Sequence, residues 1–170
     1  MKKLLLLLFL STFLFSCVIT RGKDGEPGKP GKNGSDTGPS TIFDQELATK
    51  LGADQYGMKP YVIVMLTAGS GKMEDKTKME ELMKGHLANI RKLSDEGKIV
   101  VAGPFLEKNK EDYRGMFIFN TQSKEEAEQW VKTDPAVMAG VFSYEIFPWY
   151  GSAALPMYLK HHKEIAKEDP

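Results

Sequence analysis

The chain has 170 residues, with 23 Lys or Arg against 23 Asp or Glu and no net charge. The two signs are interspersed and no block of basic residues marks a nucleic-acid face, so nucleic acid is not an expected partner. A single cysteine excludes an intrachain disulfide.

Residues 1–16 read as an export signal: Lys2 and Lys3 precede an apolar run from Leu4 to Phe15, and small Ser16 comes before Cys17. That run is shorter than the roughly 20 residues a spanning helix takes. Leu14-Phe15-Ser16-Cys17 resembles the lipobox of bacterial lipoproteins, although Phe15 is bulkier than that pattern usually has. The resemblance implies lipidation of Cys17 and a bacterial cell-envelope location, with the membrane reached through the lipid anchor; an ordinary signal peptide with an incidental cysteine is the bland alternative. Residues 17–57 then form a Gly- and Pro-rich stretch in which four consecutive Gly-X-Y triplets run from Gly22 to Asn33, followed by Gly34. Collagen requires glycine at every third position, but four triplets hold three chains together poorly, so a solvated spacer is expected. Thr41 to Lys50 can form a short helical turn that carries no chemistry.

One folded domain is expected over residues 58–150, with 151–170 as a C-terminal tail. Tyr61-Val62-Ile63-Val64-Met65-Leu66 is a continuous apolar, β-branched run and reads as a strand. Met79, Leu82, Met83, His86, Leu87, Ile90 and Leu93 recur at helical spacing, and Gly97 closes that helix in the left-handed conformation. Ile99 to Ala102 is a second strand stopped by Gly103-Pro104, and Met116 to Phe119 a third. Ser123-Lys124-Glu125-Glu126 opens a second helix as a capping box, and Thr133-Asp134-Pro135 ends it, because the residue before proline avoids helical dihedrals. Phe142 to Phe147 alternates as a fourth strand. The order βαββαβ predicts an α+β, ferredoxin-like fold with a four-stranded antiparallel sheet. Strand one is apolar on both faces, so the face without helices needs cover, and a homodimer packed sheet against sheet is expected.

His86 stands on the core-facing stripe of its helix, where an imidazole needs a partner, and Asp134 stands at a helix break that could supply one. Two readings are open for each. His86 is a general base or acid, since imidazole titrates near neutral pH, or a buried ring satisfied by one hydrogen bond. Asp134 is its carboxylate partner, or simply a helix stop whose oxygens bond nearby backbone N–H groups. Gly103, Pro104 and Arg114 are weaker candidates for substrate binding, Arg114 as a cation for an anionic substrate, against a plain strand end and a solvated edge charge. Phe147, Trp149 and Tyr150 are expected in core or dimer contacts. Adjacent His161 and His162 project about 100° apart on a helix, so no metal site is expected there, and Tyr158 to Lys167 reads as a frayed terminal helix. No phosphate loop, dinucleotide fingerprint or nucleophile elbow occurs, and no cofactor is expected.

Gly85-His86-Leu87-Ala88, Asp95-Glu96-Gly97-Lys98, Ala102-Gly103-Pro104 and Thr133-Asp134-Pro135 with Ala139-Gly140-Val141 follow one another in an order and spacing that resembles the YCII-related family. The resemblance runs from about Tyr61 to Trp149. It implies a dimeric α/β barrel with a pocket between helices and sheet, and it implies His86 and Asp134 as an active-site dyad. Ala136 departs from the aromatic residue the family commonly has after Asp-Pro, which implies a wider pocket or a change in what it accepts. The family's chemistry is largely unassigned, and relatives in the wider fold group isomerise, dehalogenate or cleave small ring compounds. The expected function is therefore acid–base chemistry on a small organic molecule by an envelope-tethered enzyme. The alternative is a non-catalytic dimeric ligand-binding or scaffold module presented on a lipid anchor.

Overall fold

The computed structural model describes residues 42–168; the leader, Cys17 and the Gly-X-Y stretch lie outside the described residues. In chain order the elements are α1 (Gln45–Leu51), β1 (Met58–Ala68), α2 (Lys76–Asp95), β2 (Ile99–Pro104), β3 (Tyr113–Phe119), α3 (Lys124–Val131), α4 (Pro135–Met138), β4 (Phe142–Ser152), a 3-10 turn (Leu155–Met157) and α5 (Tyr158–Ile165). The four strands form one antiparallel sheet in the order β2-β3-β1-β4. This is the ferredoxin-like α+β arrangement, with β1 and β3 at the centre.

Strand alternation divides the apolar residues between two faces. Val62, Val64 and Leu66 of β1 point with Phe117 and Phe119 toward the helices, where they meet Leu93 of α2 and Ala127 and Val131 of α3. Tyr61, Val100 and Ile118 point the other way, with Ile63, Val101 and Met116 half-buried beside them. On that second face Phe147 and Trp149 of β4 stay 43% and 37% exposed, opposite Ile63 and Tyr61 of β1. Helices cover one face only, and the other presents a broad apolar surface.

The helix ends follow local chemistry. Asp75 caps α2 by accepting from the Thr77 and Lys78 N–H groups, and Gly97 leaves it at φ 70°. Ser123 caps α3 through the Glu126 N–H at 3.1 Å. After α3 the chain does not run directly into a strand: Pro135 starts the separate single turn α4, with Asp134 as its cap. Gly69 and Gly71 pack against the backbone of Gly140, where a Cβ would lie 2.0 Å and 2.8 Å from the Gly140 carbonyl oxygen. That approach requires glycine at 69 and 71, whereas Gly140 itself stands at φ 72°, the left-handed conformation that favours glycine.

Two sequence expectations change. The last strand continues past Phe147 to Ser152, because β4 is an edge strand and tolerates Pro148. Phe147, Trp149 and Tyr150 therefore belong to β4 itself. The segment after Tyr150 is also not a loose tail. Tyr61 donates to the Ser152 carbonyl at 2.8 Å, Leu155 packs on the open-face cluster, and the Tyr158 hydroxyl donates to the Val100 carbonyl of β2. On the N-terminal side, Asp54 accepts from Tyr56 N–H, Met58 N–H and the Tyr150 hydroxyl, which ties the turn before β1 to β4. The Tyr150 bond is the main cause holding the Asp54 carboxyl below its usual range.

Candidate active site

α2 carries His86 on the side that faces the sheet, but its apolar stripe is not core throughout. Leu93 is buried, whereas Met83, Leu87 and Ile90 line a partly open cavity of about 950 Å³. His86 lines it too, as do Leu66 of β1, Phe117 of β3 and Phe142 of β4. The imidazole sits between two rings, with centroids 6.1 Å from Phe117 and 5.3 Å from Phe142. A polar ring in such apolar surroundings needs its hydrogen bonds made inside the protein.

Asp134 makes one of them. His86 Nδ1 lies 2.5 Å from Asp134 Oδ2, across 48 positions of sequence, with the two residues 7% and 1% exposed. The other carboxylate oxygen, Oδ1, accepts from the Ala136 N–H at 2.9 Å. The helix-stop reading and the partner reading of Asp134 thus both hold: one oxygen caps α4 and the other holds the imidazole. Thr133 Oγ1 donates to Asn89 Oδ1 at 3.1 Å, a second tie between α2 and the same turn. Gly85, one position before His86, lets the elements come this close. A Cβ there would stand 3.0 Å from Pro135 Cγ.

No buried side-chain nitrogen or oxygen among the described residues lacks a partner. Nδ1 has Asp134, and Nε2 has no partner among the described residues, which leaves Nε2 on the accessible, cavity side of the ring. With Nδ1–H donated to the carboxylate, the Nε2 lone pair is presented to whatever occupies the cavity. Asp134 does not line the cavity and stands behind the ring.

The segment that carries these residues also matches a known family. The profile of the YCII-related domain matches residues 61–150. The chain belongs to that family. No curated protein matches it. Among solved structures it is similar to the 5-chloro-2-hydroxyhydroquinone dehydrochlorinase (TftG) of Burkholderia phenoliruptrix AC1100, in complex with 2,5-dihydroxybenzoquinone. The identity is 23%, the TM-score 0.39, and the match covers 54% of this chain and 93% of that one, a likeness too distant to bear on chemistry.

Gly103, Pro104 and Arg114 line the same cavity as His86. Arg114 also pairs with Asp112 at 3.0 Å and stays half-exposed, so it is at once an edge charge and a cavity residue. Ala136 is a correction to the expectation of a wider pocket: it is fully buried beneath the Asp134 carboxylate and does not line the cavity. The residues that sequence reasoning passed over are Tyr158, Leu159, His162 and Lys163 of α5 and Ala166 just after it, which form a cavity wall. Their spacing of i, i+1, i+4, i+5 and i+8 is one helical face and was the available signal. His161 falls on the other face and meets Glu164 at 2.8 Å. Among the described residues no group of three or more His, Cys, Asp and Glu could hold a metal ion, and no helix is long and apolar enough to cross a membrane.

Proposed function

We propose that this YCII-related protein performs proton transfer on a small organic molecule held in the cavity, with His86 as the base and acid and Asp134 as the residue that positions it. The supporting observation is the split use of the imidazole: Nδ1 is tied to a buried carboxylate at 2.5 Å while Nε2 faces a cavity. In the forward step Nε2 takes a proton from an activated C–H. The C–H bond breaks, its electron pair stays on the substrate as an enolate delocalised onto oxygen, and the ring becomes imidazolium facing the carboxylate. Return of the proton to another atom of the substrate gives an isomer, and return to the same atom gives hydrogen exchange with solvent. Positioned acid–base catalysis of this kind contributes about 10²- to 10⁴-fold.

The test is deuterium incorporation. The protein is incubated in D₂O with a panel of small keto acids and phenolic acids and followed by proton NMR. At least one member is expected to lose an acidic C–H signal at a rate proportional to protein concentration. A panel that exchanges no faster than in buffer sinks the reading.

The open sheet face supports a homodimer. Met65 and Met116 are half-buried there beside exposed Phe147 and Trp149, an apolar patch that association would remove from water. Met65→Lys with Phe147→Lys is expected to leave each subunit folded and weaken self-association by at least about tenfold, since a two-fold interface meets each change twice. Sedimentation velocity checks this. A wild-type protein that stays monomeric at every concentration refutes the dimer.

A further inference from the structure

We propose that Thr133 and Asn89 are positioning residues for the imidazole–carboxylate pair, holding the Asp134 carboxylate where it can orient His86. This rests on the proposed acid–base use of His86 and adds to it how a carboxylate on a short turn keeps its aim.

The turn that carries Asp134 meets α2 at successive places along one helix face. Pro135 packs on Gly85, Asp134 Oδ2 meets His86 Nδ1, and Thr133 Oγ1 donates to Asn89 Oδ1 at 3.1 Å. The α2 partners rise in number as the turn residues fall, so the two segments run antiparallel. Contacts at Gly85 and His86 leave the turn free to pivot. Those two residues are neighbours in sequence, as are Pro135 and Asp134, and the packing of Pro135 limits approach without having a direction. Asn89 stands three residues beyond His86, about 4.5 Å further along the axis, and a directional bond there resists rotation about the pivot.

Thr133 also refers the turn to the core. Its hydroxyl shares its proton with the Trp130 carbonyl of α3 at 2.7 Å, and the Thr133 N–H donates to the same carbonyl. α3 is seated on the sheet through buried Ala127 and Val131, with the Trp130 ring 5.5 Å from that of Phe119. One side chain thus connects α2 and α3 at the residue next to the carboxylate. Thr133 is exposed and Asn89 half-buried, so water could satisfy both and neither bond is needed to rescue a buried group. What the bond between them supplies is orientation.

Three variants of the full chain test this. Thr133→Val removes the hydroxyl at equal size, Thr133→Ser keeps it, and Asn89→Leu removes the bond to α2 while leaving Thr133 on Trp130. Two readings are taken of each. The first is the proton NMR resonance of His86 Nδ1–H, assigned by its loss in His86→Asn and drawn far downfield by a short bond to a carboxylate. The second is hydrogen exchange of a panel substrate. Thr133→Val and Asn89→Leu are expected to move the resonance upfield and slow exchange on the order of tenfold, short of the roughly 10²-fold that a misplacement of about 1 Å costs. Thr133→Ser is expected to keep both readings, and urea midpoints are expected to stay near the parent's. Should Thr133→Val fail to fold for want of its bond to Trp130, Asn89→Leu decides alone. A folded Asn89→Leu chain with the parental resonance and the parental exchange overturns the proposal, whatever its stability. A Thr133→Ser chain that loses both readings overturns it too, because the hydroxyl is then not what positions the pair. If the parent exchanges no substrate proton, the resonance decides: its movement upholds the positioning role while the acid–base reading falls, and its constancy overturns the role as well.

Discussion

Asp134→Ala is expected to lower the unfolding free energy by about 2–4 kcal/mol, from a stranded Nδ1–H on buried His86 at about 1–3 kcal/mol and a lost cap on α4 at about 1 kcal/mol. Urea denaturation measures the sum. Asp134→Asn separates the two jobs of the carboxylate. The amide oxygen still accepts from Ala136 N–H, so the cap survives and the stability loss stays within about 1 kcal/mol. The amide nitrogen, however, now faces Nδ1 as a donor. That forces the imidazole into the tautomer with its proton on Nε2, and the lone pair disappears from the cavity. Hydrogen exchange of the substrate is expected to fall about 10²- to 10⁴-fold in a protein that melts nearly like the parent. An Asp134→Asn chain that exchanges at the parental rate would show that the contact holds the fold and does nothing else.

The ferredoxin-like order was legible because each element carries a periodicity or a stop of its own: the β-branched run of β1, the three-to-four spacing along α2, the capping box at Ser123, the glycine at position 97. Elements without such signals were not. α4 has four residues, too few for any period, and lies just past the proline that closes the preceding helix in the sequence reading. The sequence alternation of β4 ends at Phe147, before Pro148, because a proline in a strand is tolerated only at an edge, and edge position is a property of the assembled sheet. α5 itself is expected, as a frayed terminal helix over Tyr158 to Lys167, but it has no buried residue, so its inward face shows only as a spacing among lysines and histidines. For the site, the stripe placed His86 inward and the proline placed Asp134 at a break. Whether they meet depends on how closely α2 approaches α4, a distance that neither segment encodes by itself. The Gly85–Pro135 contact sets it, and no local pattern announces a glycine whose role is to let another chain segment in.

Gly85 therefore offers a way to disturb the imidazole–carboxylate contact without altering either residue. A glycine inside a helix costs about 1 kcal/mol relative to alanine, and at position 85 that cost is offset by the approach of Pro135. Gly85→Ala adds a Cβ 3.0 Å from Pro135 Cγ, tight but matched by the gain in helix propensity, and is expected to change stability by less than about 1 kcal/mol. Gly85→Leu cannot be absorbed in the same way. Its side chain must displace Pro135, at an overpacking cost of about 1–3 kcal/mol, and Asp134 is the residue joined to that proline. A hydrogen bond of 2.5 Å does not survive a displacement of the size of a methyl group. Exchange in Gly85→Leu is thus expected to fall toward that of His86→Asn, itself about 10²- to 10⁴-fold below the parent. If both act through one contact, the double variant loses no more exchange than His86→Asn alone, whereas independent effects would multiply. A folded Gly85→Leu chain with parental exchange would mean that the approach of α4 to α2 is incidental to the chemistry.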